Sequence, residues 1–529
     1  MNLRDTLSGP LLGQLAASGV LICFIGYQAT ATIGQSVVEC MTSFLFLAYN
    51  LFDFYMICRW CQEITNQSAN VGEAIYCSGW ECGVSKLPGV RSTIMFVIAR
   101  ANKPLVLTAG GMYDLSLTSY TSRISQSKAL EFAGPLETAF FASVYRLSFV
   151  VGLSTSDDYF LYTAYSSFIR IISALVVWFE IWSVLGNNDV SLDQIISSVN
   201  VIFIHLVTFW KLVTMVKNKR VFKKLAKALE SSSFDMSTQR RKGIVNYWVL
   251  INNKYLKVVL TLGCLTLIVW ELYPMIDELK FNLMVDVKLP FEYQSLLTYM
   301  ATYTAVAIMF AYASLMVIIS EVIMQAHLIR LICQFDVLAD CFENIFEECA
   351  EEFPDLNKHE LVKDASFVDK YVKRLGDLVT QHREILDQTN DLRTILSAPL
   401  LGQLACSGLL ICFVGYQATA TIAENLGKFV MSLLYLGYNM FTWYLMCRWC
   451  EEITIKSQRI GQAAYFSGWE SGISLAPGAR ASIILVIARA NKPLVFVAGG
   501  MYSLSLSSYT SLVKASYSAL NILLTMSHE

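Results

Sequence analysis

Long apolar stretches, each of the length a helix needs to cross a bilayer, alternate with polar connections along most of the chain. Seven of them fall near 161–185, 194–216, 256–276, 296–320, 398–422, 428–450 and 500–526. Two more precede these, at about 10–33 and 38–61, followed by a polar, Gly-rich loop over 62–92, a short helix over 93–103 and a truncated Ser/Thr-rich piece over 104–124. Such runs are too long for barrel strands, and in lipid only helices or closed barrels satisfy every backbone group. The pattern therefore predicts an all-α, polytopic helical membrane protein. Residues 321–397 have helical period but are heavily charged, with acids from Asp336 to Glu352 and bases from Lys358 to Arg383. They are expected to project from the membrane with the short helix 478–492, whose Arg480, Arg489 and Lys492 are too costly for lipid.

The chain writes part of itself twice. Gly110-Gly111-Met112-Tyr113 returns as Gly499-Gly500-Met501-Tyr502, and the same offset of 389 links Pro10 to Pro399, Trp60 to Trp449 and Trp80 to Trp469. One gapless register ties 1–121 to 390–510. A period this long is not that of a solenoid. It divides the chain into 1–124, the C-terminal third of a duplicated unit with two spans and an incomplete last one; 125–158, a junction and N-terminal segment; and 159–529, a complete seven-span unit. The near-identity of the copies leads us to expect a joined reading of two neighbouring duplicated genes. No signal peptide is expected, because the first apolar run is already span-length.

Composition agrees with the periodicity: 55% of residues are hydrophobic, only 16% are charged, and the mean hydropathy is +0.48. A net charge of −2 argues against a nucleic-acid partner. Lys and Arg sort the loops. The connection 217–257 carries eleven of them, whereas 186–193 and 277–295 hold only Lys280 and Lys288. By the positive-inside rule, 217–257 is cytosolic, and so are 321–397 and the N-terminus of the full unit. The fourteen cysteines include Cys58 and Cys61, repeated as Cys447 and Cys450, at the end of an apolar helix. Without a second pair or a thioredoxin-like context they read as helix-packing residues. No Ser/His/Asp set, phosphate loop or metal constellation emerges, so neither an enzyme nor a cofactor is expected.

Seven spans, an internal N-terminus, a long cytosolic connection before span five, and the C-terminal run Gly499-Gly500-Met501-Tyr502-Ser503-Leu504-Ser505-Leu506-Ser507-Ser508-Tyr509-Thr510 with Ser516-Tyr517-Ser518-Ala519-Leu520 resemble the insect odorant receptors. The resemblance covers about 127–529, and 1–121 matches the family's C-terminal third. The Thr-Tyr and Gln-Phe pattern of the related gustatory receptors is absent, as are the Asp-Arg-Tyr and Asn-Pro-x-x-Tyr motifs of G-protein-coupled receptors; those two classes are the alternatives. The resemblance implies a ligand-gated, non-selective cation channel subunit in the plasma membrane of a sensory neuron. It also implies a heterotetramer with an odorant co-receptor and a volatile odorant as ligand.

It further implies a pore lined by the last helix, with Ile522 at the narrow hydrophobic gate, Thr525 one turn outward and Ser518 one turn inward. The helix is rich in hydroxyls, which suit a wet conduit but can equally bond back to their own backbone. An odorant pocket is implied among spans two, three, four and six, apolar with aromatic walls. Phe203 and His205, Trp270, Tyr299 and Tyr303, and Tyr435 and Tyr438 are its candidates, the last pair three apart on one helix face. Glu180 is expected at an interface and Lys211 to snorkel toward water.

Overall fold

The computed structural model describes residues 136–152, 160–185, 192–231, 234–276, 281–285, 293–421, 426–469 and 478–528, with short pieces before residue 128. The spans expected at 10–33 and 38–61 and the junction around 122–135 lie outside the described residues, apart from 56–57 and 60–61. The chain divides into two compact units, Met1–Lys128 and Ala129–Glu529. In the first unit, β1 (Thr108–Ala109) pairs antiparallel with β2 (Tyr113–Asp114).

The second unit is helical. In order it holds α1 (Leu136–Val150), α2 (Phe160–Leu185), α3 (Leu192–Lys217), α4 (Lys219–Lys227) and α5 (Gln239–Ile276). It continues with α6 (Leu296–Glu343), α7 (Ile345–Ala350), α8 (Lys358–Leu361), α9 (Ala365–Thr421), α10 (Leu426–Tyr465), α11 (Ala479–Ala490) and α12 (Leu506–His528). By length and composition α2, α3, α5, α6 and α9 could each cross a membrane. Tyr435, Tyr438 and Asn439 dilute the apolar run of α10, and eight Ser/Thr residues that of α12.

Two helices run on far past their apolar stretches. Helix α6, opened by the Ser295 hydroxyl accepting from the Thr298 N–H, is 48 residues long. That is about 72 Å at 1.5 Å per residue, more than twice a bilayer core of roughly 30 Å. The spans expected at 296–320 and 398–422 are each continuous with a charged helical extension, 321–343 and 365–397. The reason is burial: 321–343 packs against α5, α9 and α10, and Leu328, Leu331, Phe335, Leu338 and Phe342 are fully buried. Trp443, Cys447, Trp449 and Cys450 of α10 belong to the same core, and both cysteines are free thiols.

An ion-pair network closes this core. Arg241 of α5, with no exposed surface, donates to Asp235 at 2.7 Å, to Asp340 at 3.1 Å and to Glu348. Arg374 of α9 joins through Asp235, and Arg240 reaches Asp340 at 2.7 Å. After α11, β3 (Val497–Ala498) and β4 (Tyr502–Ser503) form a hairpin before α12. Its turn has positive φ at both central residues, Gly499 (+59°) and Gly500 (+73°), and Met501 N–H closes onto the Ala498 carbonyl. Only glycine takes two such positions cheaply. A Cβ at Gly499 would also fall 2.4 Å from Leu401 Cδ2, so the Gly-Gly pair seats the hairpin on α9. The first copy pairs in the same register, Ala109 with Tyr113 as Ala498 with Tyr502.

Candidate functional site

A small cavity lies among α3, α5, α6 and α10. Each helix contributes one face. Helix α5 presents Gly263, Leu267 and Trp270, spaced three and four apart as a helical stripe requires. Helix α10 presents Tyr435 and Tyr438, α6 presents Phe310 and Ile318, and α3 presents Ile204 and His205. The rings form a chain: Trp270 stands edge-on to Tyr435 at 5.0 Å and 5.8 Å from Phe310, which lies 6.0 Å from His205. At the other end Gly263 lets α5 and α6 close up under Tyr438, since a Cβ there would meet Ile318 Cδ1 at 2.5 Å.

A short segment roofs the aromatic end. Leu283, Met284 and Val285 pack with Val201, Tyr303 and Phe310. Trp270 Nε1–H donates to the Met284 carbonyl at 2.9 Å, and Tyr299 hydroxyl donates to the Asn282 carbonyl at 2.6 Å. Phe281 begins the turn with φ of +61°, which non-glycine residues rarely adopt.

The structure thus brings together four of the seven sequence candidates, His205, Trp270, Tyr435 and Tyr438. Phe203 is not among them. Two positions from His205 on a helix is about 200° around it, so Phe203 faces outward, 40% exposed. Tyr299 and Tyr303 lie beyond Phe310 and hold the roof in place of lining the cavity; Tyr303 hydroxyl donates to the Glu271 carbonyl. Phe310, Gly263, Ile318 and the 281–285 roof were not foreseen. Gly263 is the one with a signal in the sequence, a lone glycine inside an apolar helix.

Two expectations about charged residues are overturned. Glu180 is buried, 2% exposed, with both carboxylate oxygens 2.9 and 3.0 Å from His205 Nδ1. Lys211 does not snorkel; it is buried and donates to Glu321 of α6, which also accepts from Gln403 Nε2 of α9 at 2.9 Å. Its neighbour Trp210 takes the outward position, 45% exposed.

Ser518, Ile522 and Thr525 share an exposed face of α12, with Ile522 61% exposed. The Ser518 and Thr525 hydroxyls donate to the carbonyls of Lys514 and Asn521, four residues back in their own helix. Ile522 also borders an apolar groove between α9 and α12, opposite Leu409 and Phe413. Among the described residues no group of His, Cys, Asp and Glu could hold a metal ion.

The family model described as 7tm Odorant receptor matches residues 1–126 and 191–517. The chain belongs to the odorant receptor family. Odorant receptor 94a of Drosophila melanogaster is 26% identical to this odorant receptor family member over 157 residues, 30% of this chain and 40% of that relative. Putative odorant receptor 85d of Drosophila melanogaster is 29% identical over 149 residues, 28% of this chain and 35% of that protein. These matches thus span well under half the length of the relatives. In fold, the chain is similar to the insect olfactory receptor OR5 from Machilis hrabei in complex with eugenol. The TM-score is 0.62 at 14% identity, covering 74% of this chain and 100% of that one. The family is one of membrane receptors and not of enzymes.

Proposed function

We propose that the protein is an odorant receptor in the strict sense: a ligand-gated, non-selective cation channel subunit of the plasma membrane that opens when a volatile molecule enters the cavity of α3, α5, α6 and α10. The observation that carries this reading is the cavity itself. It has apolar and aromatic walls with few polar groups, and it sits among apolar helices where a volatile can partition. In this reading the long extensions of α6, α9 and α10, with α11, lie in the cytosol below the membrane and hold subunits together. The exposed face of α12 with Ser518, Ile522 and Thr525 meets its counterparts around one pore, in a heterotetramer with a co-receptor. Residues 1–124 lack counterparts of Ile522 and Thr525 in register and contribute no pore wall.

Whole-cell recording from cells expressing the full chain, with and without a co-receptor, against a broad volatile panel tests this reading. Volatile-evoked cation current that needs no driving co-substrate is expected. Silence despite surface expression, together with an N-terminus of the second unit exposed outside the cell, would sink the topology and the channel with it.

A further inference from the structure

The cavity wall holds one ionisable pair that its apolar lining does not require. Glu180 of α2 and His205 of α3 are 2% and 5% exposed, and Nδ1 faces both carboxylate oxygens at 2.9 and 3.0 Å. The imidazole ring lines the cavity. With Nδ1 turned to Glu180, the opposite nitrogen, Nε2, is left for the cavity, and no side chain among the described residues bonds it.

Its hydrogen can be placed by charge. A net charge buried among apolar helices is costly, so the pair is held neutral as a whole. Two neutral arrangements exist: imidazolium with carboxylate, or imidazole with a carboxylic acid that donates to Nδ1. In both, Nε2 carries a hydrogen. Only a net-negative pair would turn Nε2 into an acceptor. Two of the other polar groups nearby are engaged. Trp270 Nε1–H is bonded to the Met284 carbonyl, and the Thr266 hydroxyl to the Leu262 carbonyl. The Tyr435 and Tyr438 hydroxyls, buried and without a partner among the described residues, are further available donors.

We propose that the Glu180–His205 pair reads the head group of the ligand: the cavity takes a small apolar molecule carrying an acceptor oxygen, foremost the carbonyl of a ketone, aldehyde or ester. His205 Nε2–H donates to that oxygen, and the hydrocarbon part lies against Phe310, Ile318 and Trp270. Glu180 acts as a positioning residue, fixing the ring and keeping its far nitrogen protonated. This inference rests on the cavity being the ligand site.

The test titrates the full chain in lipid nanodiscs with a medium-chain methyl ketone and with the alkene in which =CH2 replaces the carbonyl oxygen. Binding is read from tryptophan emission, and Trp270→Phe shows that the signal comes from the cavity. A donor left unmatched in a dry site costs about tenfold to hundredfold in affinity, so the ketone is expected to bind at least about tenfold tighter than the alkene. In Glu180→Leu/His205→Leu, which removes the pair together and leaves no buried charge, the two affinities are expected to fall within about twofold, at the alkene's level. A ketone preference that survives in the folded double variant overturns the proposal, as does equal binding of both probes to the unaltered chain; the latter needs no variant to fold and leaves the cavity reading intact. Binding of neither probe, with no volatile evoking current, overturns the cavity reading and this inference together.

Discussion

Gly263→Ala adds a single methyl group at the tightest point of the cavity. Its Cβ would sit 2.5 and 2.7 Å from Ile318 Cδ1 and Cγ1 and 3.2 Å from Tyr438 Cε2, where carbon pairs rest at about 3.5–4.0 Å. Ile318 must therefore move, and the free space beside it is the cavity that both residues line. Each ligand methylene displaced forfeits about 0.8 kcal/mol, so losing room for one or two carbons costs roughly 1–2 kcal/mol, a factor of about 5–30. The assay is a set of dose–response curves for a homologous ligand series, each member one methylene longer. Gly263→Ala should leave short members near their original EC50, raise long members by that factor, and shift the best chain length down by one or two carbons. Gly263→Ala/Ile318→Ala removes both clashing atoms and should restore the long members. EC50 values unchanged within about twofold across the series would refute the packing of α5 against α6 on which this rests.

Arg241→Met removes the fully buried cation shared by Asp235, Asp340 and Glu348, which keep only the partly exposed Arg374 and Arg240; the lost charged hydrogen bonds cost about 1.5–3 kcal/mol, so the Tm in detergent should fall by a few degrees, whereas Arg240→Met, on a 61% exposed side chain, should change little. Lys211→Met strands Glu321 beside Gln403 and should lower surface expression; Lys211→Met/Glu321→Met should recover it, and equal behaviour of the single and double variants would speak against the pair. In the part of α9 that precedes its apolar stretch, burial, with Arg489 nearby, holds the His382 imidazole down at about 4. The unfolded chain takes up a proton near 6.5, so this contribution to stability is complete above that pH and is lost as pH falls toward 4, by about 1.4 kcal/mol per unit. The Tm of His382→Leu should decline less between pH 6.5 and 4 than that of the unaltered chain.

What could be read from the sequence was what a single helix determines by itself. The seven span-length apolar runs after residue 160, the short helix near 478–492 and the shared face of Tyr435 and Tyr438 follow from a period of 3.6 residues, and the structure has a helix over each run, the short helix and both tyrosines on the cavity. What failed to show depends on two helices at once. Nothing local to Glu180 says that His205 stands opposite it, nor local to Lys211 that Glu321 does, and each was therefore assigned to water or the interface. The same period could have separated Phe203 from His205, since residues two apart cannot share a helix face. The 281–285 roof was hidden for another reason: a polar-flanked loop gives no period, and its burial comes from Trp270 and Tyr299 bonding its carbonyls. The unbroken run of α6 past residue 320 likewise rests on α9 and α10 covering Glu321–Phe342.

The measurement that bears most directly on the account records Trp270→Ala and Ile522→Ala side by side, in the full chain with a co-receptor, as evoked current against volatile concentration and as reversal potential under exchanged cations. The account predicts a clean division. Trp270→Ala removes a cavity wall and should raise the EC50 by about tenfold or more with the reversal potential unchanged, whereas Ile522→Ala, on the exposed face of α12, should alter basal current or cation preference with the EC50 within about threefold. If both variants moved only the EC50, or if Ile522→Ala changed nothing, ligand cavity and conduction path would not be divided between these helices as described.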